Sequence, residues 1–351
     1  MYFYTMKILD DIKFDFSDVL LLPNHSDYSS RSQVSLVRSF KFKYSPYKWS
    51  GVPIMVSNMD TTGTIETALE LQKFQILTCL HKYYTVNDLI NKGLNPDYYA
   101  VSTGINDKDL ENLYEIMKSI DPKFICVDVA NGYMSLFVER CALIREKYPE
   151  KIIIAGNVCT SEGVLQLVVN GKVDIVKVGI GSGSCCTTRK QTGIGMPQLS
   201  AVIECADTAH GIDAHIISDG GIQVIGDFSK AYAAGADFVM SGSMFAGHKE
   251  SGGELIEETE TKKLYKVFYG MSSTTAMDKY SGGVAKYRSS EGKTVKIAYK
   301  GPIESTILEI EGGIRSCMTY LGAKKIKDIP KCATFVKVNR QLNQIHTGKE
   351  I

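Results

Sequence analysis

IIIAGNVCTSEGVLQLVVNGKVDIVKVGIGSGSCCTTR, residues Ile152–Arg189, decides the fold. It holds two apolar, β-branched runs, Ile152–Val158 and Asp174–Gly179, separated by a stretch of helical pattern and closed by a glycine-rich loop. A strand that is apolar along its length, rather than at alternate positions, is buried on both faces, as in parallel sheets. Working outward, the same unit recurs: Val52–Asn58, Ile76–His81, Tyr98–Thr103 and Phe124–Ala130 precede the pair, and His215–Gly220 and Asp237–Gly242 follow it, making eight. Segments between them, such as Thr64–Phe74 and Leu110–Ile120, carry apolar residues near helical spacing. Eight βα units predict a closed (β/α)8 TIM barrel rather than an open doubly wound sheet, with residues 1–351 forming a single catalytic domain.

About a hundred residues remain beyond Gly242, more than one closing helix needs. Glu250–Gly301, with Glu257–Lys263, Gly270–Ser273, Ser281–Gly283 and Ser289–Lys293 as its polar and glycine clusters, predicts an inserted hairpin and a long mobile flap. Ile303–Gly322 reads as the eighth barrel helix, followed by a peripheral tail, and Phe16–Pro23 is apolar enough to pack across the barrel.

Composition narrows the chemistry. With 40 Lys+Arg against 39 Asp+Glu and no block of like charge, the chain offers nucleic acid no basic stripe. The opening MYFYTMKILDD lacks the basic-then-apolar order of a secretory signal, and no apolar run approaches the roughly 20 residues that span a bilayer. A cytoplasmic protein without a membrane partner is expected. Nine cysteines, an odd number without a CxxC pair, suit neither a disulfide framework nor a zinc site, so most should be small core residues. GIGSG lacks the last glycine spacing of a dinucleotide fingerprint, EGKT (Glu291–Thr294) lacks the upstream glycine of a P-loop, and there is no HExxH.

Polar and glycine residues crowd the C-terminal ends of the strands, the face where barrel active sites are built. The loop Gly179–Gly195 contains five glycines, so its backbone can approach a ligand and its carbonyls can cage a cation. Cys185 and Cys186 stand side by side in it, one to face the cleft and the other away, and the residues alone leave open which. A thiol is only partly thiolate at neutral pH unless its surroundings help, and Arg189 is near in sequence. Ser218–Gly221 and Ser241–Ser243 end strands seven and eight, where barrels often bind phosphate, and Asp219 suits ribose hydroxyls. Together these fit a nucleotide. An amine leaves a ring carbon only after protonation, and a Thr188 hydroxyl bridged to the flap carboxylate Glu291 would deliver that proton.

Asn58–Thr64, Asp128–Tyr133, Ala155–Thr160, Lys177–Val202, His215–Gly221, Ala234–His248, Glu250–Glu254, Phe268–Ser273 and Arg288–Lys293 together resemble the IMP dehydrogenase/GMP reductase family over nearly the whole chain. His81-Lys82 runs into strand three within about twenty residues, without the two-repeat insertion usual in the dehydrogenases, and TTRKQTGIGMPQ with YRSSEGK resembles the reductive branch. The resemblance implies reductive deamination of GMP to IMP by NADPH with release of ammonia, Cys186 forming a covalent thioimidate and Thr188 with Glu291 protonating the leaving group. For the purine nucleotide it implies Ser184, Asp219, Gly220, Gly221, Gly242, Ser243, Gly270, Met271, Ser272, Arg288, Ser289, Ser290, Glu291 and Gly292. For the cofactor it implies Lys82, Asp128, Val129, Ala130, Ile180, Gly181 and Met271. Ser30, Arg31, Tyr287, Arg288, Ser316, Cys317, Met318 and Thr319 would act at or across a subunit boundary of a homotetramer. A potassium ion is implied at Gly181, Gly183 and Cys186 with Arg189 beside them. Two departures, Cys at 185 and Ser at 182 where many relatives have proline, bear on the stiffness of the loop. A dehydrogenase lacking its insertion and a catalytically silent nucleotide-binding barrel are the competing readings.

Overall fold

The computed structural model describes residues 8–287 and 289–339. Eight strands, β1 Lys48–Val56, β2 Ile76–Cys79, β3 Tyr99–Thr103, β4 Phe124–Asp128, β5 Ile152–Val158, β6 Ile175–Val178, β7 His215–Asp219 and β8 Phe238–Ser241, pair in parallel in chain order. Pairing of Val239, Met240 and Ser241 with Ile54, Met55 and Val56 closes the ring, so the fold is a (β/α)8 barrel, as the spacing of the apolar runs predicts.

The period of two along each strand divides the apolar residues between two cores. Met55, Leu77, Cys79, Ala100, Phe124, Cys126, Ile152, Ile154, Ile175, Ile217, Phe238 and Met240 fill the barrel interior. Ile54, Val101, Ile125, Ile153, Val176, Ile216 and Val239 point outward under the helices. Continuing the inward register by two residues reaches Asp128, Lys177 and Asp219, so the topmost interior layer is charged where the lower ones are oily. At the opposite mouth, the strand Arg38–Lys41 runs antiparallel to the start of β1, and Phe40, Phe42 and Trp49 plug the opening.

Helices Ile65–Leu71 and Asp107–Ser119 fall where their periodicity places them. The closing helix Glu304–Leu321 buries Ile307, Ile310, Ile314, Met318 and Leu321, a stripe at i, i+3 and i+4 spacing, and stops at Gly322, whose φ of +72° suits a helix end. The end segments are tied to each other rather than simply laid on the surface. Val19–Leu21 pairs antiparallel with Phe335–Lys337, and Phe16, Val19, Ile326 and Ile329 are buried. The region 250–301 holds more regular structure than a hairpin and loop: Leu255–Glu257, Leu264–Tyr269 and Thr294–Ala298 form an antiparallel sheet, and Thr274–Ser281 is a helix. Ser273 caps that helix by accepting a hydrogen bond from the Ala276 amide at 3.2 Å.

Candidate active site

A cleft lies over the C-terminal ends of the strands, walled by the cysteine loop on one side and the flap on the other. Its lining includes Asp128, Val129, Ala130, Ile180, Gly181, Gly183, Ser184, Cys186, Thr188, Asp219, Gly220, Gly221, Gly242, Ser243, Gly270, Met271, Ser272 and Glu291. Most of the residues expected from sequence are therefore brought together although they come from four strand ends and an insertion.

The two neighbouring cysteines both border the cleft but differ in their surroundings. Cys185 is buried at 4% exposure against Ala246 and Phe268, and burial raises its thiol pKa, which disfavours the thiolate. Cys186 is half-buried, and its Sγ donates to Thr188 Oγ1 at 3.2 Å. Thr188 Oγ1 in turn donates to Glu291 Oε2 at 2.7 Å, a contact between residues 103 positions apart. The flap edge is laced to the loop by backbone bonds: Lys293 N to Cys185 O at 2.9 Å and Thr187 N to Glu291 O at 2.8 Å. These bonds keep the relay in line.

At the floor, the Lys177 ammonium is 1% exposed, pairs with Asp128 and stands 3.1 Å from Asp219 Oδ2. Burial alone would lower its pKa, but the two carboxylates hold it well above the ordinary lysine value, so it stays charged. Asn157 Nδ2 donates to Asp219 Oδ2 at 2.9 Å and to Gly179 O at 2.8 Å, fixing the same carboxylate from the other side. Sequence reading places Asn58, Met59 and Asn157 at strand ends on this face without giving them a role, and it missed Lys177. A lysine inside the otherwise apolar run IVKV was the available signal, because a charge on a strand buried on both faces must meet a partner.

Other expected residues are engaged within the chain, sit on the flap or lie away from the cleft. The Gly220 and Gly221 amides are already bonded to Met240 O and Ser182 O, so these glycines shape the rim through positive φ (+84° and +78°). Ser182 Oγ donates to Asp219 O at 2.9 Å, tying the loop to β7. The Arg189 guanidinium bonds Asp15 Oδ2 at 2.9 Å and Met196 O at 2.6 Å. Lys82 pairs with Asp109 at 2.9 Å and is not among the cleft-lining residues. Ser289, Ser290 and Gly292 sit on the flap, Ser290 Oγ bonding Ser272 O at 3.3 Å and Gly292 O at 3.1 Å. Ser30, Arg31 and Thr319 line a separate surface pocket, Tyr287 is 94% exposed, Ser316 and Cys317 lie along the closing helix, and Met318 is fully buried beneath it. Arg288 lies outside the described residues.

Among the described residues, no group of three or more His, Cys, Asp or Glu converges to hold a metal, and no helix is long and apolar enough to cross a membrane.

The IMP dehydrogenase / GMP reductase domain family model matches residues 13–344. The chain is 54% identical over 341 residues to GMP reductase 2 of Homo sapiens, covering 96% of this chain and 97% of that one. It is 53% identical over 344 residues to GMP reductase of Phytophthora infestans, covering 97% and 94%. It is 52% identical over 348 residues to GMP reductase of Buchnera aphidicola, covering 97% and 98%. With a family model over residues 13–344 and relatives more than half identical over nearly their whole length, the chain belongs to the IMP dehydrogenase / GMP reductase family.

Proposed function

We propose that the chain catalyses the NADPH-dependent reductive deamination of GMP to IMP. The hydrogen-bond chain Cys186–Thr188–Glu291 carries this reading, because it supplies a nucleophile and a proton path in one line. Cys186 Sγ attacks carbon 2 of the guanine and forms the C–S bond. The thiol proton passes through Thr188 Oγ1 to Glu291, then returns along the same path to the exocyclic amine. The C–N bond breaks, ammonia leaves, and a neutral thioimidate stays on Cys186. When bound, NADPH supplies the hydride that converts carbon 2 of this adduct to that of IMP. Breakage of the C–S bond returns the electron pair to Cys186, which is reprotonated. The flap sheet and the loop exclude water in between, since hydrolysis of the adduct would give XMP.

Asp219, steadied by Lys177 and Asn157, suits the ribose, and the ends of β7 and β8 suit the phosphate. Asp128, Val129, Ala130, Ile180, Gly181 and Met271 line the part of the cleft suited to the nicotinamide. A monovalent cation fits the loop by its donor set of carbonyls at Gly181, Gly183 and Cys186. The Gly183 carbonyl accepts only one lone pair's worth of bonding, from Cys186 N at 3.0 Å. Arg189 would join through its carbonyl, since a guanidinium has no lone pair to offer a cation. Ser30, Arg31 and Thr319 line a surface pocket away from the cleft, where in a homotetramer they would serve the cofactor of a neighbouring copy.

Mixing the protein with GMP and NADPH should extinguish the reduced-nicotinamide absorbance and release ammonia. Silence there, with NADH appearing from IMP and NAD, would instead mark the dehydrogenase reaction.

A further inference from the structure

Glu291 rides on the flap, and one buried carboxylate of the barrel gathers three side chains of the flap's central strand and helix. Asp60 lies in the turn after β1, with its side chain 2% exposed. Its Oδ2 accepts from three flap donors: the Tyr269 hydroxyl at 2.5 Å, the Tyr280 hydroxyl at 2.6 Å and the Lys279 ammonium at 2.8 Å. The Tyr280 ring also stacks on Tyr83, in the loop after β2, with centroids 3.5 Å apart. Burial pushes the Asp60 pKa up, but the three donors more than offset this and hold it below the ordinary carboxylate value.

These donors bracket a short segment. Tyr269 ends a flap strand, and Lys279 and Tyr280 lie in the last turn of the flap helix. Between them, Gly270–Ser273 carries the backbone partners of the Glu291 strand: Ser272 O accepts from Glu291 N at 3.0 Å, and Gly270 N donates to Lys293 O at 3.2 Å. Glu291 is thus suspended between a clamped segment on one side and Thr187 on the other.

We propose that Asp60 is a positioning residue for proton delivery, fixing Gly270–Ser273 through Tyr269, Lys279 and Tyr280 and thereby setting the reach of Glu291 to Thr188. This rests on the relay assigned under the proposed function. Misplacement of a catalytic group by about 1 Å costs on the order of a hundredfold in rate. Deamination uses Glu291 twice, to take up the thiol proton and to return it to the amine, whereas adduct formation from IMP uses it at most once, so loss of the clamp slows deamination more.

The test uses the full chain as wild type, Asp60→Ala, Asp60→Asn and Lys279→Ala, with two readouts. Amide hydrogen exchange without substrates should quicken over residues 269–294 in Asp60→Ala while the barrel strands keep wild-type protection. In the second readout, turnover of GMP with NADPH is compared with the single burst of NADPH from IMP and NADP+, which forms the same adduct without moving ammonia. Asp60→Ala should lower GMP turnover about 10- to 100-fold and the burst rate by no more than about threefold. Asp60→Asn, which keeps an acceptor oxygen, should recover part of the loss. Lys279→Ala, at a half-exposed side chain that folding tolerates, should show a smaller loss of the same selective kind. Equal losses in both reactions, or flap exchange unchanged from wild type, would overturn the proposal. Should the wild type not turn over GMP, the relay reading fails, and the exchange data alone still decide whether Asp60 holds the flap.

Discussion

At the scale of single residues, two adjacent thiols are separated by environment rather than by identity. Cys185 packs into an apolar satellite core with Phe268, and Cys186 faces Thr188. Cys186→Ala should abolish turnover while GMP still binds, read by calorimetry, and the GMP adduct seen by mass spectrometry on the wild-type peptide should disappear. Retained turnover would exclude covalent catalysis at this position. Glu291→Gln keeps the size of the side chain but cannot return a proton to the leaving amine, so deamination should fall about 100-fold or more, and the burst from IMP and NADP+, which expels no amine, should fall much less. Lys177→Met removes the cation between Asp128 and Asp219. Breaking a buried pair costs about 3–5 kcal/mol, and partial exposure of Asp128 to the cleft trims this to about 2–4 kcal/mol. The urea midpoint should fall accordingly, and KM for GMP should rise as Asp219 loses its register. The lysine was legible as an oddity of strand β6, but its two partners stand 49 and 42 positions away, a pairing that local pattern does not contain.

At the scale of elements, the strands were legible because burial on both faces leaves an apolar run, and their ends because glycine and polar residues must follow. The flap was less legible. Its helix Thr274–Ser281 is short and carries only two buried side chains, Ala276 and Met277, so periodicity barely registers. The capping serine at 273 and the left-handed Gly282 at φ +72° were the signals that marked its ends. The rim after β7 depends on glycine for a different reason. A Cβ on Gly220 would meet Ser182 Oγ at 2.7 Å and Gly183 N at 3.1 Å, and its φ of +84° disfavours any other residue. Gly220→Ala should therefore push the cysteine loop off β7, raising KM for GMP and costing about 1–3 kcal/mol in a denaturant titration. An unchanged KM would mean that the loop does not lean on this rim.

At the scale of the whole molecule, the two mouths of the barrel have opposite tasks. The C-terminal mouth is a polar cleft, and the N-terminal mouth is sealed by aromatic rings around a buried charge. Asp237 accepts there from Arg38 Nη2 at 2.6 Å, from the Ile216 amide at 3.0 Å and lies 2.9 Å from His210 Nε2. His215 Nδ1 stands 3.4 Å from the same carboxylate, and its Nε2 lies 2.8 Å from Lys41 O. Burial pulls the His215 pKa down, but Asp237 more than reverses this and holds it above the ordinary 6.5. A histidine whose pKa is raised on folding stabilises the fold fully below its unfolded pKa and loses that contribution as pH rises through the folded value. His215→Gln should therefore lower the thermal midpoint near pH 6 by about 2 °C more than it does near pH 8.5, a difference between the two proteins in which the buried His81 and His248, both shifted downward, cancel. Asp237, held far below the ordinary carboxylate range, contributes at both pH values and is lost only in strong acid.

The number, order and burial of the barrel strands were set by the sequence alone, because hydrophobic periodicity is local and each strand writes its own environment into consecutive residues. The resemblance in its motifs named the chemistry. Tertiary structure decided what no local pattern holds: how differently two neighbouring cysteines are housed, that Lys177 stands between Asp128 and Asp219, and that Asp60 grips the flap from across about two hundred residues of chain. Each of these is a contact between side chains brought together only when the barrel closes and the insertion folds back over its mouth. Short-range pattern carries the cost of burying a charge but not the identity of the partner that offsets it.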